Sequence, residues 1–312
     1  MSSLPNQPLI SVVVATYNGE HFIKQQMDSI IGQTYKNLEI IVIDDCSTDG
    51  TVDILQQYAN QHANVKLFVN ESNLGYVKNF EKGLLLATGD YIAPSDQDDI
   101  WAENKLEILM AAMGDNAIIY CNSAIINGVG EPSGKLLSDI KHLQTFNDPL
   151  QYAIGNTAAG HAMIITRKTI IDSVPFPTMI PHDYWLGFVA TFDSQLFFFN
   201  QPLVWYRQHG GNVFGVKAKG VKKEKKVKMA EAKRLELARE RMQLLYEKCP
   251  EYLTEQKAAF AGLVKSYRSF SLINNFNRMR LFFKYRHRIL AYKKRTELRR
   301  ILFCIKMFWM IK

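Results

Sequence analysis

The chain has 312 residues, 47% of them hydrophobic, which exceeds the usual size of one hydrophobic core, so one large domain plus an extension, or two domains, is expected. Its four cysteines, Cys46, Cys121, Cys249 and Cys304, are widely spaced with no Cys-x-x-Cys pair, which argues against a zinc site or a disulfide framework and fits a reducing compartment. The net charge of +8 conceals a division: residues 1–211 hold 11 Lys and Arg against 22 Asp and Glu, whereas residues 212–312 hold 27 against 8. Such asymmetry points to a basic region that meets a polyanion or an anionic membrane. The polar start, Met1 to Pro8, has no signal-peptide pattern. No uncharged apolar run reaches the roughly 18 residues of a spanning helix, so none is expected.

Leu9 to Ala15 reads as a buried strand. After the Asn18-Gly19 turn, Ile23, Met27, Ile30 and Ile31 recur at helical spacing. Leu38 to Ile43 is the next strand, followed by a Thr48-Asp49-Gly50 turn and a helix to about Tyr58. Val65 to Val69 is a third strand, and a helix follows from about Tyr76 to Ala87. This rhythm argues for a mostly parallel sheet with crossover helices. Tyr91 to Pro94, Ala117 to Cys121, His161 to Thr166 and Gln195 to Phe199 add strands, and His182 to Phe192 a helix. Asn127 to Pro149, rich in Gly, Pro and Ser, reads as a mobile loop. Past Gly210-Gly211 the character changes: Lys222 to Lys248 is charged and helical, with Leu235, Ala238, Met242 and Leu245 on one face. A boundary near Asn212 therefore divides residues 1–212 from a basic, mainly helical region 213–312.

Two acidic groups end apolar runs. Asp44-Asp45 follows Leu38 to Ile43, and Asp96-Gln97-Asp98-Asp99 follows Tyr91 to Pro94. Carboxylates at the carboxyl ends of strands in an open α/β sheet lie where ligands bind. Two carboxylates one residue apart suit a hard divalent cation held with a diphosphate, with a solvated turn as the alternative. A dinucleotide oxidoreductase would need G-x-G-x-x-G after the first strand, and Ala15 to Glu20 lacks it. A sugar-1-phosphate nucleotidyltransferase would need a Gly-rich, Arg-containing loop there, which is also missing.

The segments Ala15-Thr16-Tyr17-Asn18-Gly19-Glu20, Asp44 to Thr51, Asn73-Leu74-Gly75, Thr88-Gly89-Asp90, Ser95-Asp96-Gln97-Asp98-Asp99-Ile100-Trp101, His182-Asp183-Tyr184-Trp185 and Tyr206-Arg207-Gln208-His209 form an ordered set. Over residues 8–212 the chain closely resembles the family 2 glycosyltransferases, and within them the rhamnosyltransferase-like branch of bacterial surface polysaccharide synthesis. The resemblance implies an α/β GT-A fold, Rossmann-like, with a sheet flanked by helices and a C-terminal helical extension. It implies an inverting, metal-dependent enzyme. The sugar would pass from a pyrimidine nucleoside diphosphate (a UDP- or dTDP-sugar, dTDP-rhamnose among them) to a saccharide acceptor of capsule, O-antigen or exopolysaccharide.

By resemblance, Thr16, Tyr17 and Glu20 line the nucleoside pocket, and Asp44 accepts a hydrogen bond from a pyrimidine imide N–H, a group that cytosine lacks. Packing at a strand end and a turn cap are the alternatives for Tyr17 and Asp44. Asn73 and Lys78 are further donor-side contacts, Lys78 toward the diphosphate. Asp98 is the direct ligand of Mn²⁺ or Mg²⁺; Asp96 reaches the ribose or a metal-bound water, and Asp99 orients the donor sugar. His209 completes the metal or diphosphate site, or is structural. Arg207 is a phosphate partner or a structural ion pair. Asp183 is the base that deprotonates the acceptor hydroxyl, or a helix N-cap. His161 stands where relatives have a small residue or cysteine and is expected to face the acceptor.

From Arg278 to Lys312 there are 12 Lys and Arg and one acid, Glu297. Leu281, Tyr285, Ile289 and Tyr292 recur at helical spacing, then Leu298, Leu302, Ile305 and Trp309. This pattern suits an anionic leaflet, where a lipid-linked acceptor would be met; a helical appendage packed on the first domain is the alternative. A cytoplasmic protein, peripheral on the inner face of the cell membrane, is the expectation. No nucleic-acid-binding module precedes the basic stretch. The rival from another class is a catalytically silent, membrane-associated scaffold of a polysaccharide assembly complex.

Overall fold

A computed structural model describes residues 7–210 and 231–310. In chain order the elements are β1 (Ile10–Thr16), α1 (Ile23–Ile31), β2 (Leu38–Asp44), α2 (Thr51–Gln61), β3 (Val65–Val69), α3 (Tyr76–Leu86), β4 (Tyr91–Ser95), β5 (Ile100–Trp101) and α4 (Lys105–Ala112). Next come β6 (Ile118–Asn127), β7 (Pro132–Leu136), β8 (Met163–Thr166), α5 (Arg167–Ser173), α6 (His182–Ala190) and β9 (Leu196–Gln208). Among the described residues five helices follow: α7 (Glu231–Lys248), α8 (Thr254–Ser266), α9 (Leu272–Lys284), α10 (Arg286–Ile289) and α11 (Glu297–Lys306).

One sheet runs in the order β3-β2-β1-β4-β8-β6-β9-β5, with β7 beside β6. Its first four strands are parallel, as the strand–helix rhythm requires, and the rest is mixed: β8 is antiparallel to both β4 and β6, and β9 runs parallel to β6. β1 lies at the centre of the parallel half, with Val12 between Ile40 and Ala93. Period-2 alternation sends Val12 and Val14 to one core with α1 and α4, and Val13 to the other with α3. Ligand-bearing loops therefore collect at the carboxyl ends of β1, β2 and β4.

The opposite end of these strands explains Thr88-Gly89-Asp90. The buried Glu39 carboxylate accepts hydrogen bonds from Ser11 Oγ (2.5 Å), from Thr88 Oγ1 (2.8 Å) and from the backbone N–H groups of Thr88 and Gly89. These bonds pin the turn into β4, and with it the acidic loop at the strand's far end. Burial alone would raise the Glu39 carboxyl, but the Ser11 and Thr88 bonds outweigh it and carry the group from 4.5 down to about 2. A depressed carboxylate stabilises the fold fully above its unfolded value and loses that contribution as pH falls toward its folded value. Glu39→Gln is therefore expected to lower stability by about 2–3 kcal/mol near neutral pH. Urea melts should show that gap shrinking below about pH 4.5, and a gap that does not change with pH would contradict this account.

Three expectations are corrected. The stretch from Asn127 to Pro149 is not a mobile loop: it holds β7 and a 3-10 turn, and Leu137, Leu143 and Phe146 are buried. Apolar anchors spaced among turn residues hide such a segment from any periodicity. The strands beginning near Ala117 and Gln195 run on to Asn127 and Gln208, because β6 and β9 pair along their full lengths through a bulge at Asn122. His161 lies in a 3-10 turn, Gly160–Ala162, ahead of β8 rather than in the strand.

Helices α7 to α11 share a core with the sheet domain. Phe260 packs edge-on against Phe188, and Tyr285, Ile289 and Tyr292 are buried. Gly155 admits the Tyr292 ring, since a Cβ there would lie 2.7 Å from it. The Ala291 carbonyl accepts from Gln144 Nε2 (3.1 Å) and lies 2.9 Å from His142 Nδ1, and Arg288 pairs with Asp148. The first apolar stripe of the basic tail thus packs on the domain. The boundary near Asn212, the Lys217 to Lys228 run and the start of the helix expected from Lys222 lie outside the described residues. Among the described residues no helix is long and apolar enough to cross a membrane.

Candidate active site

A cavity of about 560 Å³ opens over the carboxyl ends of β1, β2 and β4 and is closed on the far side by the start of α6. Thr16, Tyr17, Asn73, Asp96, Asp98, Asp183 and His209 all line it, brought together from positions spread over 194 residues of sequence. Glu20, Asp44, Lys78 and Asp99 do not line it: Asp44 and Asp99 are fully buried, and Glu20 and Lys78 are half-buried against other partners.

The nucleoside end is built from two cross-braced loops. Tyr17 is clamped by Gln97, whose Oε1 accepts from Tyr17 N (2.8 Å) and whose Nε2 donates to Tyr17 O (3.0 Å). Asn18, in the left-handed region (φ 49°), accepts from Thr48 N and donates its own N–H to Ser47 Oγ. Glu20 accepts from Gly50 N (2.8 Å) and so holds the start of α2 instead of facing the cavity.

Asp44 is fully buried, accepting from Thr16 Oγ1 (2.8 Å), Ser47 Oγ (2.6 Å) and Ser47 N (2.7 Å). It is Asp45, one residue further on, that reaches the cavity, with its carboxylate taking Leu74 N, Gly75 N and Asn70 Nδ2. Gly75 (φ 79°) permits the turn that presents both N–H groups. Lys78, expected to reach the diphosphate, ion-pairs with Glu81 at 2.5 Å.

The acidic loop is held from beneath. Arg207 is buried and donates from Nε to the Asp98 carbonyl (2.8 Å), from its guanidinium to Gly128 O and Gln25 Oε1, and from its backbone N–H to Asp99 Oδ1 (2.9 Å). These bonds hold Arg207 beneath the acidic loop. His209 Nε2 lies 2.7 Å from Asp98 Oδ2, its ring against Phe22. His161 is buried under the loop, with Nδ1 3.5 Å from Asp96 and 3.3 Å from Asp99, its Nε2 3.1 Å from Ser123 Oγ and its ring stacked on Tyr206.

Burial and the neighbouring carboxylates set the charges here. Desolvation drives Asp99 up to about 7 against the pull of His161, and raises Asp98 with help from Asp96. Asp96 is held below its ordinary value because the His161 hydrogen bond and charge outweigh desolvation. His161 is itself raised, since Asp99 and Asp96 overcome its burial. Beneath them Lys105, buried with Nζ 2.7 Å from the His161 carbonyl, falls to about 7 by desolvation.

This donor set fits a hard divalent cation. The Asp99 Oδ2 atom is buried and lacks a hydrogen bond, and Asp96, Asp99 and His161 offer ligand atoms within 4.8 Å of one another. The converging group shares only Asp96 with the set read from sequence; Asp98 and His209 pair with each other at 2.7 Å instead of joining it.

Across the cavity Asp183 is the second residue of α6, in its first turn. Pro181 holds the cap position, so Asp183 is not the N-cap. Its Oδ1 accepts from Tyr184 N (2.6 Å). His182 stacks on Phe80 at 4.0 Å, and Gly160 leaves room for that ring. Lys141 and Tyr76 complete this side; burial lowers the lysine against the pull of Asp183, and raises the phenol with a contribution from Asp183.

Asp45, Gln97, Tyr76, Lys141 and Asn156 also line the cavity and escaped the sequence reading of the site. Asp45 and Gln97 stood inside motifs already noted. No sequence signal marks Lys141 or Asn156, because the fold of their segment comes from tertiary contacts.

The glycosyl transferase family 2 profile matches residues 11–174, more than half of the chain. The chain belongs to the family 2 glycosyltransferases. It is 32% identical over 190 residues to the Escherichia coli UDP-Glc:alpha-D-GlcNAc-diphosphoundecaprenol beta-1,3-glucosyltransferase WfgD, covering 60% of this chain and 72% of that one. It is 32% identical over 218 residues to the dTDP-rhamnosyl transferase RfbG of Shigella flexneri, covering 65% of this chain and 73% of the relative. The fold is that of the crystal structure of S. aureus TarS 1-349 in complex with UDP-GlcNAc, with a TM-score of 0.57 at 18% identity over 96% of this chain and 80% of that one. It is a GT-A glycosyltransferase, of a family with members in surface polysaccharide synthesis.

Proposed function

We propose that the protein is a metal-dependent, inverting glycosyltransferase that moves a sugar from UDP or dTDP to a lipid-linked saccharide at the inner face of a bacterial membrane. One observation carries this reading: the acidic loop after β4 and Asp183 line a single cavity. The nucleoside lies against Thr16, Tyr17 and Asp45, and the diphosphate points toward Asp96 and Asp98. A divalent cation held by the acidic loop would offset the charge that develops on the departing diphosphate. Asp183 accepts the proton of the acceptor hydroxyl as its oxygen bonds to the anomeric carbon and the bond to the nucleoside diphosphate breaks. With one carboxylate base and no enzymatic nucleophile, a single displacement inverts that carbon.

The relatives support the donor and acceptor classes: one is a UDP-Glc:alpha-D-GlcNAc-diphosphoundecaprenol glucosyltransferase, another a dTDP-rhamnosyl transferase. Binding of UDP, dTDP, GDP and CDP, each with Mn²⁺ and with a chelator, tests the donor site. UDP or dTDP is expected to bind in preference, and chelation to weaken binding. No binding of any of the four would overturn the reading.

A further inference from the structure

Among the described residues the second apolar stripe of the basic tail has no partner on the domain. On α11, Leu298 (66% exposed), Leu302 (48%) and Ile305 (37%) lie on one helix face, and Trp309 (62%) continues it past the helix end. The opposite face, through Cys304 and Met307, is buried against α9. Arg278 locks the two helices together: its buried guanidinium donates to the Met307 and Ser266 carbonyls. The Phe282–Phe303 contact fixes the pair as antiparallel. The exposed Leu272, Ile273 and Phe276 at the start of α9 therefore lie toward the Trp309 end of the stripe.

The charge around this face identifies what covers it. Between Glu255 and Met310 the only acid is Glu297, while Arg280, Lys284, Lys293, Lys294, Arg299 and Lys306 are exposed. A second copy of the same face would oppose cation to cation, whereas an anionic leaflet satisfies both the apolar ridge and its basic rim. The face is also coupled to the active site. The same helical layer inserts Tyr292 at Gly155 and hydrogen-bonds Ala291 to His142 and Gln144, and Gly155 and Lys141 line the cavity.

We infer that the α11 ridge, extended by the start of α9, is a docking surface for anionic phospholipid that seats the acceptor side of the cavity at the leaflet. The lipid-linked acceptor in this inference rests on the function proposed above; the docking surface does not.

The test is co-sedimentation of the full chain with vesicles of phosphatidylcholine alone and with about a third phosphatidylglycerol. Binding is expected only to the anionic vesicles, falling with salt. Leu298→Ser, Leu302→Ser, Ile305→Ser and Trp309→Ser together should weaken it at least about a hundredfold, given the apolar area withdrawn. The thermal midpoint and nucleotide binding of that variant should match the wild type, because these side chains leave the packed face of α11 untouched. Unchanged vesicle binding in the folded variant would overturn the inference. So would a wild type that ignores vesicles but forms a dimer that the substitutions dissociate. Vesicle binding without any nucleotide binding would keep the docking surface and overturn only the enzymatic reading.

Discussion

Asp183→Asn is expected to reduce turnover by about 10²–10⁴-fold, the range for loss of a positioned general base. Asparagine keeps the oxygen that accepts from Tyr184 N, so the first turn of α6 and the stacking of His182 on Phe80 persist. What disappears is the basic oxygen needed to take the acceptor proton. Nucleoside diphosphate affinity should stay within about twofold, since the donor is held across the cavity by other residues. The measurement is kcat with a saccharide acceptor beside a nucleotide titration on the same preparation. Activity that survives in a folded Asp183→Asn protein would remove this residue from the base role. Equal silence of wild type and variant, with nucleotide still bound, is what a scaffold would give.

Asp98→Asn is the second large effect. The loop around Asp98 is secured by its own main chain, whose carbonyl accepts from Arg207 Nε, and by Asp99 accepting from Arg207 N. The side chain can therefore change without releasing the loop. The substitution removes a carboxylate at the cavity and leaves His209 beside a neutral amide. The expected result is a fall in kcat/KM of at least about a hundredfold, with the Mn²⁺-dependent part of nucleotide affinity lost. The unfolding midpoint should hold or rise, because burial and the nearby Asp96 carboxylate disfavour the Asp98 charge in the folded state. Calorimetric titration of UDP with and without Mn²⁺ would read the first effect. Undiminished Mn²⁺ dependence in the variant would shift the metal-holding role to Asp96, Asp99 and His161, the cluster whose ligand atoms already converge.

The parallel half of the sheet was legible because its signals are local. A continuous apolar run such as Val12 to Val14 is buried on both faces of a central strand, and helical spacing of Ile23, Met27 and Ile30 leaves one buried face. Acidic motifs ending such strands must lie at the sheet's carboxyl edge, so Asp96 and Asp98 could be named from the chain, whereas Asp183 came from the family resemblance. Other features depend on distant partners. Whether Asp44 or Asp45 faces the cavity turns on Thr16 and Ser47 filling the first carboxylate, and whether Arg207 meets phosphate turns on Asp98 and Gly128 offering carbonyls. His161 shows the same limit: its site beneath Asp96 and Asp99 comes from a 3-10 turn that has no periodicity.

By itself the sequence determined the strand–helix order, the family, the acidic loop and the basic character of the C-terminal hundred residues, since each is written in spacing and composition. Only the tertiary structure decided which carboxylates stay open to the cavity and which are taken up by other partners, because hydrogen bonds between loops 30 to 111 residues apart make that choice. It also separated two stripes that look alike in the chain. Tyr285, Ile289 and Tyr292 find the sheet domain and are buried, whereas Leu298, Leu302, Ile305 and Trp309 fall on the far face of α11, where no protein surface reaches them among the described residues.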